Sequence, residues 1–498
     1  MVMFERWKVD NRAFDDQGAA FIWMWSVFSI FHLARRISET DLGYPGLLYV
    51  VATLCSIVTI LNPRLIHVFI ASVALGFVAT LATMPVTSNH TFMRIFLMAG
   101  MLFSFLYIYI KHKHALRVTP GDFYVVFAPY GKAMLVIMYF YGVFHKINTD
   151  FLNPDTSCAV TLWELYPLPF GLADAVWVHY IAIYAALIIE AAIIVMLFIP
   201  RTKYWGLLLG LGFHFVLGIN GYRFFVAFSS MTFALHFLFL PAGFLTRVRQ
   251  GGIGRSMSSR RWAYPVVVLG VLGVYAGVLG FGWMSFYYAT LSLFIVVSVA
   301  ILVAVALYGQ SGTVRRADTW RGLHSPSPVL YLLGIAFFIN GAMPYLGLKT
   351  EQSLNMFSNL YTERGETNHL VITEPFYLAD FQNDVVRIMR TNEPYFADVR
   401  DEGLLIPWFE FRRMISQTPM EYRRFLMLEY MRDGEIHVIT PEYVSQAGVV
   451  EPLSAWLEDW FHFRYITTIR PQVCGGHKLP EGRDAIDKDR MLFQFSGK

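Results

Sequence analysis

The amino-acid sequence predicts an all-helical, polytopic membrane protein with a small α+β domain at its C-terminus. The chain has 498 residues, of which 56% are hydrophobic and only 15% are charged, whereas soluble globular chains carry about 25% charged residues. The hydrophobic residues fall into about eleven apolar runs, and most runs have the ~17–25 residues that a helix needs to cross a bilayer. We therefore expect about eleven membrane helices.

The apolar runs fill most of the first 347 residues. They lie near 17–36, 43–61, 65–84, 92–110, 123–143, 175–199, 204–219, 224–240, 263–281, 283–306 and 329–347. The first run is followed by Arg35 and Arg36 rather than by a small-residue cleavage site, which predicts a retained helix instead of a signal peptide. The sequence thus predicts a membrane domain over 1–347 and a tail over 348–498.

The tail has mixed patterns that indicate both strands and helices. HLVIT at 369–373 and EIHVIT at 435–440 are typical of short strands, while Asp380–Met389 and Trp408–Met431 have the amphipathic faces of helices. The aromatic stretch Trp456–Tyr465 suits either the membrane interface or packing within the tail. These patterns predict a small α+β domain.

The distribution of basic residues in the loops predicts the orientation. The loops on the side of the N-terminus carry most of the Lys and Arg residues between the runs, whereas the opposite loops hold only Arg35, Arg36, Lys146 and Arg223. Basic loops mark the cytoplasmic side. The N-terminus is therefore expected in the cytoplasm, and an odd number of spans places the tail in an extracytoplasmic or lumenal space.

Composition also argues against some classes of site and partner. Cys55, Cys158 and Cys474 lie far apart without metal-ligand spacing, so the sequence indicates neither a disulfide framework nor a metal site. The basic residues sit in short loops rather than on one face, which argues against nucleic acid as a partner.

Ionisable residues inside or at the ends of apolar runs are costly in lipid, and each is a candidate functional residue. The candidates are the pair Asn89-His90, the pair His145-Lys146, Glu190, His214, Tyr222 and Arg223. Several of them fall on the same predicted outer side.

Lys146 has two interpretations. Its alkyl stem can lie along apolar surface while the ammonium group reaches lipid headgroups. Alternatively, a low-dielectric pocket removes solvation from the charged form, and the neutral amine then acts as a base near neutral pH. His145 is either an interfacial ring or a charged neighbour that favours the neutral amine.

The other candidates also have structural alternatives. Asn89 can cap the following helix while His90 is an ordinary loop residue, or His90 can orient a reacting group. His214 and Glu190 lie within apolar runs and need partners, so they suit either helix–helix hydrogen bonding or a functional site.

The order of these residues resembles the horizontally transferred transmembrane family, which includes the vitamin K-dependent gamma-carboxylase. The resemblance covers residues 17–241 and is most specific at Tyr139–Leu152, YFYGVFHKINTDFL. It continues more weakly in NMFSNLYTERGETNHL at 355–370. This chain has His145 where the carboxylase has a second lysine, and its soluble region is much shorter.

The resemblance implies a membrane enzyme that uses reduced vitamin K or a related quinol. Lys146 matches the lysine regarded as the base that deprotonates the quinol, and His90 and His214 match histidines of the site. Asn89, His145, Glu190, Tyr222 and Arg223 are then expected to contact the quinone or substrate. In the family chemistry the quinol anion reacts with oxygen, the resulting base removes a γ-proton from a peptide glutamate, and the carbanion adds carbon dioxide.

Two further functions remain open from the residues alone. Lys146, Glu190 and His214 suit a transporter or lipid-handling protein if they line a continuous polar path. The same residues are also compatible with a non-catalytic membrane subunit that protects or assembles a partner protein.

Overall fold

The computed structural model describes residues 14–39, 43–84, 88–111, 118–166, 174–220, 222, 225–251, 283–310, 324–417, 425–440 and 455–474. Helices dominate the part of the chain before residue 347. In chain order they are α1 (Asp15–Glu39), α2 (Tyr44–Leu61), α3 (Ile66–Ala82), α4 (Asn89–Lys111), α5 (Pro120–Phe144), α6 (Thr149–Leu152), α7 (Cys158–Glu164), α8 (Val176–Phe198), α9 (Lys203–Gly218), α10 (Phe225–His236), α11 (Phe244–Gln250), α12 (Trp283–Tyr308) and α13 (Pro328–Ala342).

Among the described residues, six stretches of helix are long and apolar enough to cross a membrane, so the prediction of a helical membrane protein is confirmed at this level. They are Tyr44–Leu61, Asn89–Lys111, Pro120–Phe144, Val176–Phe198, Tyr288–Tyr308 and Pro328–Leu346. A short 3-10 turn, Met343–Leu346, extends α13, and Gly347 ends it in the left-handed conformation that glycine adopts without strain. The predicted run at 263–281 lies outside the described residues.

One helical region contains a sharp bend. Helix α10 continues through a 3-10 turn, Phe237–Phe239, and the axis of α11 then turns by 97° relative to this segment. Gly243 precedes α11 with a positive φ of 71°, which few other residues adopt at low cost. This pair is either one broken span or a re-entrant segment.

The tail contains a five-stranded antiparallel sheet. After a 3-10 turn at Asp380–Gln382, its elements are β1 (Val385–Thr391), α14 (Pro394–Asp401), β2 (Leu404–Pro407), α15 (Trp408–Gln417), β3 (Leu428–Arg432), β4 (Glu435–Ile439), α16 (Ala455–Trp460) and β5 (Ile466–Thr467). The strand order is β4-β3-β1-β2-β5. Val386 and Ile388 of β1 point to the buried face and pack with Ile406 and Phe411, so α15 covers one face of the sheet.

Several predictions for the tail were wrong in detail. Residues 369–373 do not form a strand, and His369 makes only an isolated bridge with Asn148. Asp380–Met389 is a 3-10 turn followed by most of β1. Within Trp408–Met431, Trp408–Gln417 is helical and Leu428–Met431 belongs to β3, while residues 418–424 lie outside the described residues. The strand at 435–440 is confirmed as β4, and the coarse prediction of a small mixed domain holds.

Residues far apart in sequence form two compact units. The first contains Met1–Thr83, Met93–Tyr139 and Ile188–Phe337, and the second contains Met84–Phe92, Phe140–Leu187 and Phe338–Lys498. Aromatic rings of α1 and α5 pack in the core of the first unit, where Phe127 lies 5.1 Å from Phe21 and 5.3 Å from Phe123 between ring centroids. The second unit joins the start of α4 and the end of α5 to the tail.

A disulfide, which the sequence analysis did not predict, closes the second unit. Cys158 at the start of α7 is bonded to Cys474 across 316 residues. Ser157 caps α7, and the N–H of Cys474 donates to the carbonyl of Thr156 at 3.1 Å. The remaining cysteine, Cys55, is free.

We expect Cys158→Ser to lower the stability of the protein by about 2–4 kcal/mol, because the bond restricts a very long loop in the unfolded chain. Cys474→Ser should have the same effect, and the double variant should be no worse than either single one. Thermal unfolding in detergent with and without reductant measures this. Cys55→Ser is the matched control and should unfold as the wild type; an equal loss in all three variants would contradict the assignment.

Candidate functional site

His145 is the centre of a buried hydrogen-bond network at the end of α5. Its Nε2 lies 3.1 Å from the carbonyl oxygen of Ser353, and its Nδ1 lies 2.9 Å from the hydroxyl of Tyr345. A carbonyl only accepts, so Nε2 carries the proton and Nδ1 accepts from Tyr345. The ring also stacks on Tyr141 with centroids 4.9 Å apart.

Burial keeps this histidine neutral. His145 is fully buried, and desolvation lowers its pKa to about 3, although the hydrogen bond to Ser353 acts in the opposite direction. The hypothesis that a charged His145 assists Lys146 is therefore wrong, since the ring is uncharged near neutral pH. The hydrogen bond of the neutral ring holds the backbone of Ser353 in place.

The same peptide group also binds the start of α4. Asn89 Oδ1 accepts a hydrogen bond of 2.7 Å from the N–H of Leu354, and this N–H belongs to the peptide whose carbonyl accepts from His145. One peptide group, Ser353–Leu354, thus links Asn89-His90 to His145-Lys146. His90 itself is buried, with 2% of its surface exposed.

The chain around this peptide group is strained. We call residues 349–359 the bridging segment. Within it Gln352, Leu354, Phe357 and Asn359 all have positive φ, between 54° and 62°, which is uncommon for residues with a side chain and costs about 1–3 kcal/mol at each. Such strain persists only where surrounding contacts impose it, and it clusters at functional sites.

Asparagine side chains hold the bridging segment in place. Asn148 Nδ2 donates to the carbonyls of His145 (2.7 Å) and Ser358 (2.6 Å), while its Oδ1 caps α6. Asn340 donates to the carbonyl of Gln352 at 2.8 Å. An amide both donates and accepts, so it can satisfy irregular backbone that no helix or strand pairs.

Lys146 lies in the tight turn between these fixed residues. Its backbone N–H donates to the carbonyl of Val143 at 3.0 Å, and only 9% of its surface is exposed. The ammonium nitrogen lies 5.7 Å from the centroid of the Phe151 ring. A lysine reaching freely into lipid headgroups would be far more exposed, so the burial favours the functional interpretation over snorkelling.

His369 closes the other side of this turn. Its Nε2 lies 2.9 Å from the carbonyl of Phe144, and its Nδ1 accepts from the N–H groups of Val371 and Ile372. Burial lowers its pKa. The ring therefore holds the last turn of α5 in place through its hydrogen bond to the carbonyl of Phe144.

A second buried lysine lies on the bridging segment. Lys349 donates to Gln352 Oε1 (3.3 Å) and to the carbonyl of Trp460 (3.2 Å), and its Nζ is 3.9 Å from the centroid of Phe92. Burial lowers its pKa to about 7. Two residues later, burial raises the pKa of Glu351 to about 7, although Arg464 acts in the opposite direction.

His214 and Glu190 belong to a polar cluster in the first unit. The Tyr139 hydroxyl lies 2.7 Å from His214 Nε2 and 3.4 Å from His236 Nε2, and Glu190 is close enough to act on it electrostatically. His236 Nδ1 donates to the carbonyl of Thr232 at 2.7 Å. Gly210 of α9 makes room for His236, because a Cβ there would overlap with its ring.

The structure thus places the candidates in two groups. Asn89 and His145 hydrogen-bond to the bridging segment of the second unit, and His90 and Lys146 are their neighbours in sequence. The other described candidates lie in the first unit. There Tyr222 is buried and its N–H donates to Asn220 Oδ1 at 2.9 Å. Arg223 lies outside the described residues. The convergence of His214 with His90 and Lys146 stays a prediction.

Sequence reasoning missed several residues of these networks. His236 sits inside an apolar run as His214 does, so the same signal was present. Tyr345, Ser353 and Lys349 carried no local signal, because their importance depends on contacts with residues about 200 positions away or with Phe92.

Comparison with known proteins gave no relative. The chain matches no protein-family model, no curated protein and no solved structure. Among the described residues no group of three or more His, Cys, Asp or Glu side chains could hold a metal ion.

We expect His145→Gln to weaken the acid sensitivity of the protein. In the unfolded chain His145 becomes protonated below pH ~6.5, whereas in the folded protein burial lowers its pKa to about 3. Between these two pH values the unfolded chain binds the proton more tightly, so the free energy of unfolding falls as the pH drops. The decrease from this residue is up to about 1.4 kcal/mol per pH unit. Glutamine can still donate to Ser353 and accept from Tyr345. The unfolding midpoint from pH 4 to 7 should therefore decline less steeply in the variant.

His437→Gln is the control, because His437 lies partly exposed on β4, stacked on Tyr430. Its pH profile should follow that of the wild type. Parallel profiles for His145→Gln and the wild type would show that folding does not lower the pKa of His145.

Proposed function

We propose that the protein is a membrane enzyme similar to the vitamin K-dependent gamma-carboxylase, which uses a reduced quinone, oxygen and carbon dioxide to carboxylate glutamate in a peptide or protein. The observation that carries the proposal is the Ser353–Leu354 peptide group, which links Asn89-His90 to His145-Lys146. A strained, asparagine-held segment at these two motifs suits a site that must hold reacting groups precisely placed.

The Lys146 side chain supplies the group that the proposed chemistry needs. Its amine is the candidate acceptor for the phenolic proton of a quinol, and the buried Phe151 ring packs beside it. When bound, a reduced quinone supplies the electrons for reduction of oxygen. Lys146 would accept the phenolic proton before that step, and His145, Asn148 and His369 hold in place the turn that carries Lys146.

The predicted topology belongs to the same proposal. Eleven spans, a cytoplasmic N-terminus and an extracytoplasmic or lumenal tail would place Lys146 and the tail on one side. The Cys158–Cys474 bond supports this, because disulfides persist in oxidising compartments and are rare in the cytosol.

A transporter is the second candidate function, and the bend after α10 is the observation that favours it. His236 lies immediately before the 3-10 turn and the 97° bend, and broken helices line substrate and ion sites in many transporters. In a transporter, the Tyr139–His214–His236 cluster would line the substrate path. Lys146 would then contribute a positive charge and would not have to accept a proton.

We expect Lys146→Arg to fold normally yet lose quinol oxidation and carboxylation by at least about 100-fold, because arginine stays protonated and cannot act as a base. Conversion of a reduced quinone to its epoxide and incorporation of labelled carbon dioxide into a glutamate peptide measure this. Lys111→Arg, at the exposed end of α4, is the control and should keep full activity.

Rescue separates the two functions further. In Lys146→Ala, small amines should restore turnover in proportion to their basicity if Lys146 is a base. The transport alternative predicts no such dependence. An arginine variant with wild-type quinol turnover would contradict the proposed mechanism.

For topology, we expect a membrane-impermeant maleimide to label Glu435→Cys from the extracytoplasmic side of sealed vesicles or cells. The Cys55→Ser background removes the free thiol. Arg201→Cys, exposed between α8 and α9, is the control and should react only after the membrane is opened. The reverse pattern would overturn the predicted orientation.

A further inference from the structure

Residues 370–378 form an irregular segment with an unusual surface. Leu370, Val371, Phe376 and Leu378 expose 50%, 63%, 70% and 61% of their surface. Large apolar side chains that stand this far out of a soluble domain, close together in sequence, mark an interaction site. The segment forms neither helix nor strand, so its exposure does not follow from the packing of a regular element.

Both ends of this segment are hydrogen-bonded to the ends of membrane helices. The N–H of Leu370 donates to the carbonyl of Ile147 at 2.9 Å, three residues beyond α5, and the N–H of Leu378 donates to the carbonyl of Leu346 at 2.8 Å. Pro120–Phe144 and Pro328–Leu346 are both candidate membrane spans. The segment therefore begins and ends next to the C-terminal ends of two candidate spans.

The order of apolar and polar side chains in residues 370–378 suits a position at a membrane interface better than a buried or a fully aqueous position. Thr373 and Glu374, between the two apolar pairs, are exposed and polar, as expected for groups at the level of lipid headgroups. Tyr377 points the other way and donates to the carbonyl of Thr362 at 2.7 Å, which fixes Phe376 and Leu378 outward. Backbone bonds and Tyr377 thus hold the apolar side chains in their exposed positions.

We propose that residues 370–378 insert their apolar side chains into the lipid leaflet at the C-terminal end of α5, next to the Lys146 turn. The partner is the bilayer itself, because burying these side chains in the acyl-chain boundary removes them from water. The inference stands independently of the enzyme proposal.

Nitroxide labels test the position directly. Val371→Cys and Phe376→Cys, each in the Cys55→Ser background, are labelled in full-length protein in phospholipid nanodiscs. Collision rates are measured with oxygen, which concentrates in lipid, and with a nickel chelate, which stays in water. Both side chains are mostly exposed, so substitution should leave the fold intact.

The matched control is Ile436→Cys on β4, which is equally apolar and 61% exposed but is not tied to a span. We expect an oxygen-to-nickel collision ratio several-fold higher at 371 and 376 than at 436. Equal ratios, whether low or high, would overturn the proposal. Protection of 371 and 376 from both reagents would also overturn it, since a protein surface would then cover the segment.

Discussion

The hydrogen bonds of one peptide group, Ser353–Leu354, are the constraint on which the second unit depends. Its N–H donates to Asn89, the first residue of α4. Its C=O accepts from His145, the residue that follows α5. Leu354 accepts a positive φ of 62° to make both bonds. The strain is stable because losing either bond would leave a buried polar group unsatisfied, which costs about 1–3 kcal/mol.

The two histidines next to Lys146 hold the backbone of this turn through hydrogen bonds. His145 and His369 are neutral because burial lowers the pKa of each, so they can act as fixed donors and acceptors without introducing charge. Lys146 lies between them in a turn whose backbone is already satisfied. The backbone of this turn is therefore held by residues other than Lys146.

The sequence predicted a helical membrane protein correctly, although six candidate spans are found among the described residues against about eleven expected, and it predicted several elements of the tail wrongly. A spanning helix satisfies its own backbone, so length and apolarity are sufficient to identify it. Strand β1 was mistaken for a helix because Val385, Ile388 and Met389 recur at helical spacing, while Val386 and Ile388 alternate as in a strand. Pairing with β2 and β3 decides between the two patterns. Residues 369–373 have strand-like composition, yet hydrogen bonds to α5 and Ile147 hold them in another conformation.

The candidate site shows the same limit. His90, His145 and Lys146 were identified because ionisable groups near lipid are costly and therefore conspicuous. Their partners were not, since Ser353 and Tyr345 are ordinary residues until a contact over about 200 positions makes them specific. The Cys158–Cys474 bond joins the loop after α6 to the tail across an even longer separation. Long-range contacts of this kind fix the turn around Lys146, and local sequence patterns do not encode them.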